Sequence, residues 1–263
     1  MYKMLYICKS FLSVLLLALA LPFVFVNNVR AGNPERKDIK LALIYTVTTP
    51  ELKADVVREI NQQIGDDVEL LVYEAPEVFN SIKSEGYVSA ASAAKMIKYY
   101  MSAVEDGADV ILSICSTVED IAYNSQNIAK YTGIPIVLVN DEMCREAVRK
   151  GSKIAVVSTF ETSISPTKNT LQRVAREMNR KVDLHEVIVD GGFGLEEEKL
   201  KALMADRISR VADEVDVIIF TQGSMAYIES YIEDKFQKEV LTNPYYSIRS
   251  VKKVLQEKGL IVE

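Results

Sequence analysis

Short, continuously apolar runs separated by longer amphipathic patterns recur along almost the whole of this chain. The first, Ile39-Lys-Leu-Ala-Leu-Ile-Tyr45, precedes a helical pattern from about Glu51 in which Leu52, Val56, Ile60 and Ile64 share one face and Gly65 is the stop. Val68 to Tyr73 is the second run, and a polar loop leads from it to a helix carrying Ala93, Met96, Ile97, Tyr100, Met101 and Val104 at the 3.6 period as far as Gly107. Ala108 to Ile114, a helix to about Tyr131 and the strand Pro135 to Val139 complete the first half. The alternation then restarts with Lys153 to Ser158, a helix opened by Ser165-Pro166, and the run Val182 to Val189. A bend at Gly191-Gly192 and Gly194, a helix around Leu200 to Val211, the last clear strand Asp216 to Thr221 and a final helix from about Tyr246 follow. Strands that are apolar without alternation, each followed by a helix, must be buried on both faces, so the fold class is α/β with mostly parallel strands.

In such sheets ligands sit beyond the carboxyl ends of the strands, and there one residue stands out. Cys115 closes the apolar run and is followed at once by Ser116-Thr-Val-Glu-Asp120, which opens a helix. Free backbone N–H groups and the positive end of a helix dipole at that place favour a thiolate, the form that attacks carbon or removes a proton. The structural alternative is a buried cysteine packing as a small hydrophobe. Other strand ends carry small hydroxyl or amide groups: Thr46, Thr48 and Thr49, then Ser116 and Thr117, then Ser158, Thr159 and Thr162, then Thr221, Gln222 and Ser224. Singly these are helix caps. Gathered around one cleft they are neutral donors suited to a small carboxylate.

Composition narrows the classes. Lys3 and Lys9 precede the apolar run Phe11 to Val26, and Val29-Arg-Ala31 supplies small residues for cleavage, so residues 1–31 read as a secretory signal peptide, with an uncleaved membrane anchor as the alternative. Removing them takes away Lys3, Lys9 and Arg30 and no acid, which moves the net charge from −6 to −9. A chain so acidic is a poor partner for nucleic acid, and with the apolar run removed no membrane segment remains; the expected location is periplasmic or secreted. Cys115 and Cys144 are then the remaining cysteines and His185 is the single histidine, too few for a disulfide framework or a zinc cluster of ordinary spacing. In an oxidising compartment the two thiols could still pair. Cys144, at the start of a helix, and His185, in a strand far from any motif, read as structural.

Taken in order, four segments resemble the aspartate/glutamate/hydantoin racemase superfamily over about residues 39 to 255. Ala108 to Thr117 resembles its first motif, a strand followed by Cys-Asn/Ser-Thr, and Ile134-Pro135 with the following strand resembles the segment between lobes. Ile154 to Thr162 is similar to the Gly-Thr-x-x-Thr stretch that begins the second lobe, and Val217 to Met225 to the second motif, a strand leading into Gly-Cys-x-Gly-Met. The resemblance implies two pseudo-symmetric α/β lobes with a cleft between them, here 38–140 plus about 242–263 and then 141–241. It implies a cofactor-independent, metal-free enzyme, with a homodimer as the assembly common in that family. Members use two cysteines across the cleft, one thiolate taking the α-proton and the other thiol returning one.

This chain departs from that pattern at two places. Gln222 stands at the second cysteine position, and a carboxamide has no pKa useful for proton transfer. Tyr45-Thr46 stands where the glutamate-specific branch has Asp-Ser, and Tyr45 either donates a hydrogen bond or packs. Glu119 and Asp120 read as first-turn caps completing a capping box with Ser116 or Thr117; the alternative is Glu119 turned into the cleft as a base beside the thiol, where its charge would also raise the thiol pKa. The expected enzyme is a racemase- or epimerase-like isomerase acting beside the carboxylate of an Asp/Glu-like amino acid or small diacid, with Cys115 as base or nucleophile. Thr46, Ser116, Thr117, Thr159, Thr162, Gln222 and Gly223 would hold the substrate. The alternative is a small-ligand binding protein of the same fold that has lost the chemistry.

Overall fold

A computed structural model of the protein describes residues 39–262, so the signal-peptide reading of residues 1–31 lies outside the described residues. In the first half, strands β1 (Ile39–Tyr45), β2 (Val68–Glu74), β3 (Val110–Ile114) and β4 (Ile136–Leu138) alternate with helices α1 (Pro50–Gln63), α2 (Pro76–Glu85), α3 (Ala90–Glu105), α4 (Glu119–Asn124) and α5 (Gln126–Thr132). In the second half, α6 (Asp141–Lys150) leads to β5 (Lys153–Ser158), α7 (Ile164–Glu177), β6 (Asp183–Ile188), α8 (Glu197–Ile208), β7 (Val217–Phe220), α9 (Glu229–Phe236), β8 (Val240–Thr242) and α10 (Asn243–Glu257).

The strands form two four-stranded sheets of identical order, β2-β1-β3-β4 and β6-β5-β7-β8, with every pairing parallel. The inner strands β1, β3, β5 and β7 are almost wholly buried, which is why they read as unbroken apolar runs. Helices cover both faces of each sheet. Ile248, Val251 and Leu255 of α10 pack with Val56 and Ile60 of α1 on one face of the first sheet, while Ile82 of α2 and Met96 and Tyr100 of α3 pack on the other. The second sheet is covered by α6 and α7 on one face and by α8 and α9 on the other. The chain therefore crosses between sheets at Val139–Asp141 and again at Thr242–Asn243, and α10 returns to the first lobe.

The duplication extends to matching details. Asp109, just before β3, accepts a hydrogen bond from the Lys40 N–H at 3.0 Å, and Asp216, just before β7, accepts from the Ser152 and Lys153 N–H groups at 2.8 and 2.9 Å. Each acid fixes the start of the neighbouring inner strand. In each sheet the register then brings two strand ends together. Tyr45 lies beside Ile114, so Thr46 and Cys115 leave their strands as neighbours; Val157 lies beside Phe220, so Ser158 and Thr221 do the same.

The structure revises several expected elements. The polar loop after β2 contains the ten-residue helix α2, started by Pro76 and closed by Gly86 at φ 77°. Helix α7 begins at Ile164, so Pro166 falls at its third position, still within the first turn where an N–H has no helical partner. Asp216–Thr221 is not the last strand: α9 and the three-residue β8 follow, and α10 starts at Asn243 rather than Tyr246.

Candidate active site between the lobes

Loops leaving adjacent inner strands run to opposite faces of each sheet and open a crevice at the strand ends. Here the two crevices face each other across a cavity of about 50 Å³. The first lobe lines it with Thr46, Thr48, Leu52, Phe79, Cys115, Ser116 and Thr117; the second contributes Phe160, Ser163, Phe193, Gln222, Gly223 and Ser224; Val139 and Asn243 come from the chain crossings. Cys115 and Gln222 occupy equivalent positions. Each is an extended residue, at φ −162° and −114°, that directly precedes a short 3-10 turn, Ser116–Val118 or Gly223–Ile228.

Cys115 is a free thiol that keeps some surface on the cavity. Burial pushes the thiol up from its ordinary 9.0, and this outweighs the hydroxyls of Thr46 and Thr117 and the backbone N–H groups of Thr117 and Val118, which favour the thiolate. The expected thiolate at a helix start is thus corrected: the following turn is three residues long, and desolvation dominates its electrostatics. The Thr46 hydroxyl is buried, has no oxygen or nitrogen partner and faces the sulfur.

The expected capping box after Cys115 is not formed, because the second lobe lies against this segment and takes up its hydroxyls. Ser116 donates to the backbone carbonyl of Thr221, and the Thr117 and Ser163 hydroxyls are 2.9 Å apart. Asp120 likewise reaches across, accepting from the Asn169 side chain at 3.0 Å. Glu119 turns inward. Its carboxyl oxygens accept from the Asn140 backbone N–H at 3.2 Å and from the Asn140 amide at 2.8 Å, and burial raises its pKa from 4.5 to about 8. Asn140 in turn accepts from Asn243 at 2.8 Å, and Asn243 donates to the Thr221 carbonyl at 3.1 Å. A buried polar chain therefore runs from the helix behind Cys115 through both crossings to the strand end of the second lobe. The Asn243 Oδ1 atom at the cavity wall has no partner.

The other sequence-predicted residues fare differently. Gln222 is pinned within its own lobe: its Oε1 accepts from the Thr159 N–H at 3.1 Å and its amide donates to Ser158 Oγ at 3.0 Å. Gly223 lines the cavity at a close approach, since a Cβ there would meet Leu52 Cδ1 at 2.6 Å and Asn243 Oδ1 at 2.7 Å. Thr159 is buried with an unpartnered hydroxyl and faces two outer grooves, and Thr162 lies on one of them rather than on the cavity, where Ser163 stands instead. Tyr45 is packed in the first core, its hydroxyl pushed well up by burial and by Glu74. Cys144 is fully buried among α6, α7, β5 and β7, unpaired and raised by burial. His185 lies near Asp183 and Glu214, away from the cavity. Among the described residues no group of three His, Cys, Asp or Glu side chains could hold a metal ion, and no helix is long and apolar enough to cross a membrane. Val47, Ser163, Asn243 and the three phenylalanines are lining residues that the sequence did not mark as part of a site.

The Asp/Glu/hydantoin racemase family model matches residues 41–243, which takes in both sheets, both crossings and every residue of the cavity. This chain belongs to that family. It has the family's two-lobed α/β fold and is a racemase-like enzyme by that membership. No curated protein sequence is significantly similar to it. The fold is similar to that of glutamate racemase RacE1 from Bacillus anthracis, at a TM-score of 0.67 and 15% identity over 87% of this chain and 85% of that one. Allantoin racemase from Klebsiella pneumoniae is similar at a TM-score of 0.60 and 11% identity over 86% and 90%. A glycine-to-cysteine mutant of arylmalonate decarboxylase is similar at a TM-score of 0.53 and 12% identity over 82% and 93%. At these identities the likeness is one of fold.

Proposed function

We propose that this chain is a cofactor-independent, exported enzyme that acts at the carbon next to a carboxylate, an amino acid or small organic acid, with Cys115 as its single proton-transferring or attacking side chain. One observation carries the reading: among the described residues lining the cavity, Cys115 is the sole side chain that titrates in water, and it is ringed by hydroxyls and N–H groups. The substrate carboxylate is held by neutral donors, the hydroxyls of Thr46, Thr117 and Ser163, with the first N–H groups of the turn at Gly223 and Ser224, which have no partner within that turn. Donors aimed at a carboxylate also stabilise the enediolate formed when the α-proton leaves, and such preorganised donors are worth most where water is excluded. The thiolate of Cys115 takes the α-proton. Gln222 on the opposite side has no pKa suited to proton transfer, so the proton returns from Cys115 or from water.

A second reading is favoured by the raised thiol. A cysteine that is protonated at rest is suited to donate. In a decarboxylation the bond between the α-carbon and a carboxylate breaks, carbon dioxide leaves, its electron pair stays on the α-carbon as an enediolate, and Cys115 gives that carbon its proton before being reprotonated by water.

Both readings are tested by NMR in heavy water on the reduced protein and its Cys115→Ala variant, with each enantiomer of a panel of amino acids and small organic acids. Cysteine-dependent deuterium incorporation at the α-carbon is the expected result. Carbon dioxide release from a substituted malonate supports the second reading, and acids that bind without either reaction would leave a binding protein of the same fold.

A further inference from the structure

Three phenylalanines line the cavity. Phe79 is brought by α2, Phe160 by the loop after β5 and Phe193 by the loop after β6. The Phe79 and Phe160 ring centroids are 4.9 Å apart at 64°, and those of Phe160 and Phe193 are 4.9 Å apart at 46°, so the rings join the two lobes over the site. Leu52, Ile114 and Val139 add to the apolar lining, and no Lys, Arg, His, Asp or Glu is among the described residues that line the cavity.

A substrate's second carboxylate would lose its water against this lining with no cation to receive it, and the faces of aromatic rings carry negative potential. An apolar substituent is instead favoured in proportion to the area it buries. The approach carries the same bias. The outer groove beside Phe160 is lined by Asp120, Glu161 and Asp190 against Lys83, and the one beside Phe193 by Glu51 and Glu197, a field that opposes a dianion.

Phe193 also stands where a group larger than this small cavity would enter. Its ring lies between the cavity of about 50 Å³ and outer grooves of about 380 and 270 Å³ that it also lines, and it is 39% exposed. It sits between Gly191 at φ 74° and Gly194 at φ 82°, backbone positions open to glycine and costly for other residues.

We propose that the substrate is a monocarboxylate whose α-carbon carries an apolar, ring-sized substituent, received between Phe79, Phe160 and Phe193, with Phe193 swinging out to admit it. The proposal rests on the first reading above, α-proton exchange at Cys115, and narrows the acid it takes; carbon dioxide release from a substituted malonate, a dicarboxylate, would speak against it.

The test is protection of Cys115 from iodoacetamide, read by peptide mass spectrometry on the reduced full chain, with phenylacetate and succinate as protectants. Phenylacetate is expected to give half-protection at a concentration at least tenfold below that of succinate. Phe160→Ala or Phe193→Ala should bring the ratio close to one, whereas Phe193→Leu, still apolar, should keep most of it. If Cys115 stays unalkylated without any acid, the rise in Tm with each acid is read instead, with the same expected order. Succinate protecting as well as phenylacetate, or neither protecting, overturns the proposal. Preferential protection by phenylacetate without α-carbon chemistry on any acid would sink the enzymatic reading alone; α-exchange confined to aspartate or glutamate, with succinate the better protectant, would sink this proposal alone.

Discussion

Cys115 is held by opposing forces, and its titration follows from which one wins. Desolvation raises the thiol above 9.0 while Thr46, Thr117 and two backbone N–H groups pull it down. If it acts as a base, kcat/KM for α-proton exchange rises with pH through the alkaline range with no plateau at neutrality. Thr46→Val, which removes one of the opposing donors, moves that limb further to alkaline pH without abolishing exchange; a profile identical to wild type would remove Thr46 from the sulfur's environment. Glu119 offers a separate check. Its folded pKa of about 8 lies above the ordinary 4.5, so its contribution to stability is complete below pH 4.5 and is lost as pH rises towards 8. Tm measured from pH 5 to 8 should therefore fall, and Glu119→Gln should flatten the slope. Cys115 was legible in the sequence because an apolar strand that ends in Cys-Ser-Thr is a local pattern. Ser163, Asn243, Phe79, Phe160 and Phe193 were not, because each reaches the cavity from a different element and only tertiary packing brings them together. Glu119 illustrates the opposite error: first-turn statistics favour capping, but the crossing at Asn140 supplies two donors that the local sequence does not reveal.

At the scale of elements, the site is made by short 3-10 turns rather than by long helices. The turn after β7 carries Gly223 against Leu52 of α1 and the Asn243 side chain. Gly223→Ala forces those neighbours to shift, at an expected cost of about 1–3 kcal/mol as for other overpacked positions. Calorimetry should show a Tm lower by several degrees, with exchange activity reduced out of proportion because the shift is at the cavity wall. An unchanged Tm would mean that Leu52 moves freely. Long, strongly periodic elements were readable to within a residue or two: β1, β5 and the face of α3 fall where their apolar spacing puts them. Elements that escaped were α2, whose start is a proline in a polar stretch, α9, and β8, whose three residues are too few to show a period. Thr162 was preferred to Ser163 by analogy of motif, and a 3-10 turn over Glu161–Ser163 directs the second of these hydroxyls inward.

The whole molecule is a repeated unit with unequal halves. The same strand order, the same aspartate before the third strand and the same extended residue before a 3-10 turn occur in both lobes, but one turn is led by a thiol and the other by a carboxamide. Gln222→Cys restores chemical symmetry. It leaves the Thr159 N–H and the Ser158 hydroxyl without their present partner, yet it sets a thiol at the position equivalent to Cys115. Optical rotation during deuterium exchange should then decay with the variant at a rate the wild type does not reach. Exchange that still preserves handedness would mean that the second lobe has diverged in geometry as well as in residue.

The two strands of backbone that join the halves are fastened to each other by the Asn140–Asn243 hydrogen bond, whereas at the cavity the halves meet through contacts between separate loops, among them the Thr117–Ser163 hydroxyl pair and the Phe79–Phe160 rings. A body joined in that way is built to open as a clamshell. Its pivot would be the stapled pair of crossings, and the parts that would separate are those that carry the rings, so the backbone amide hydrogen of Asn140, buried and bonded to Glu119, should be among the slowest to exchange while those from Gly191 to Gly194 are among the fastest.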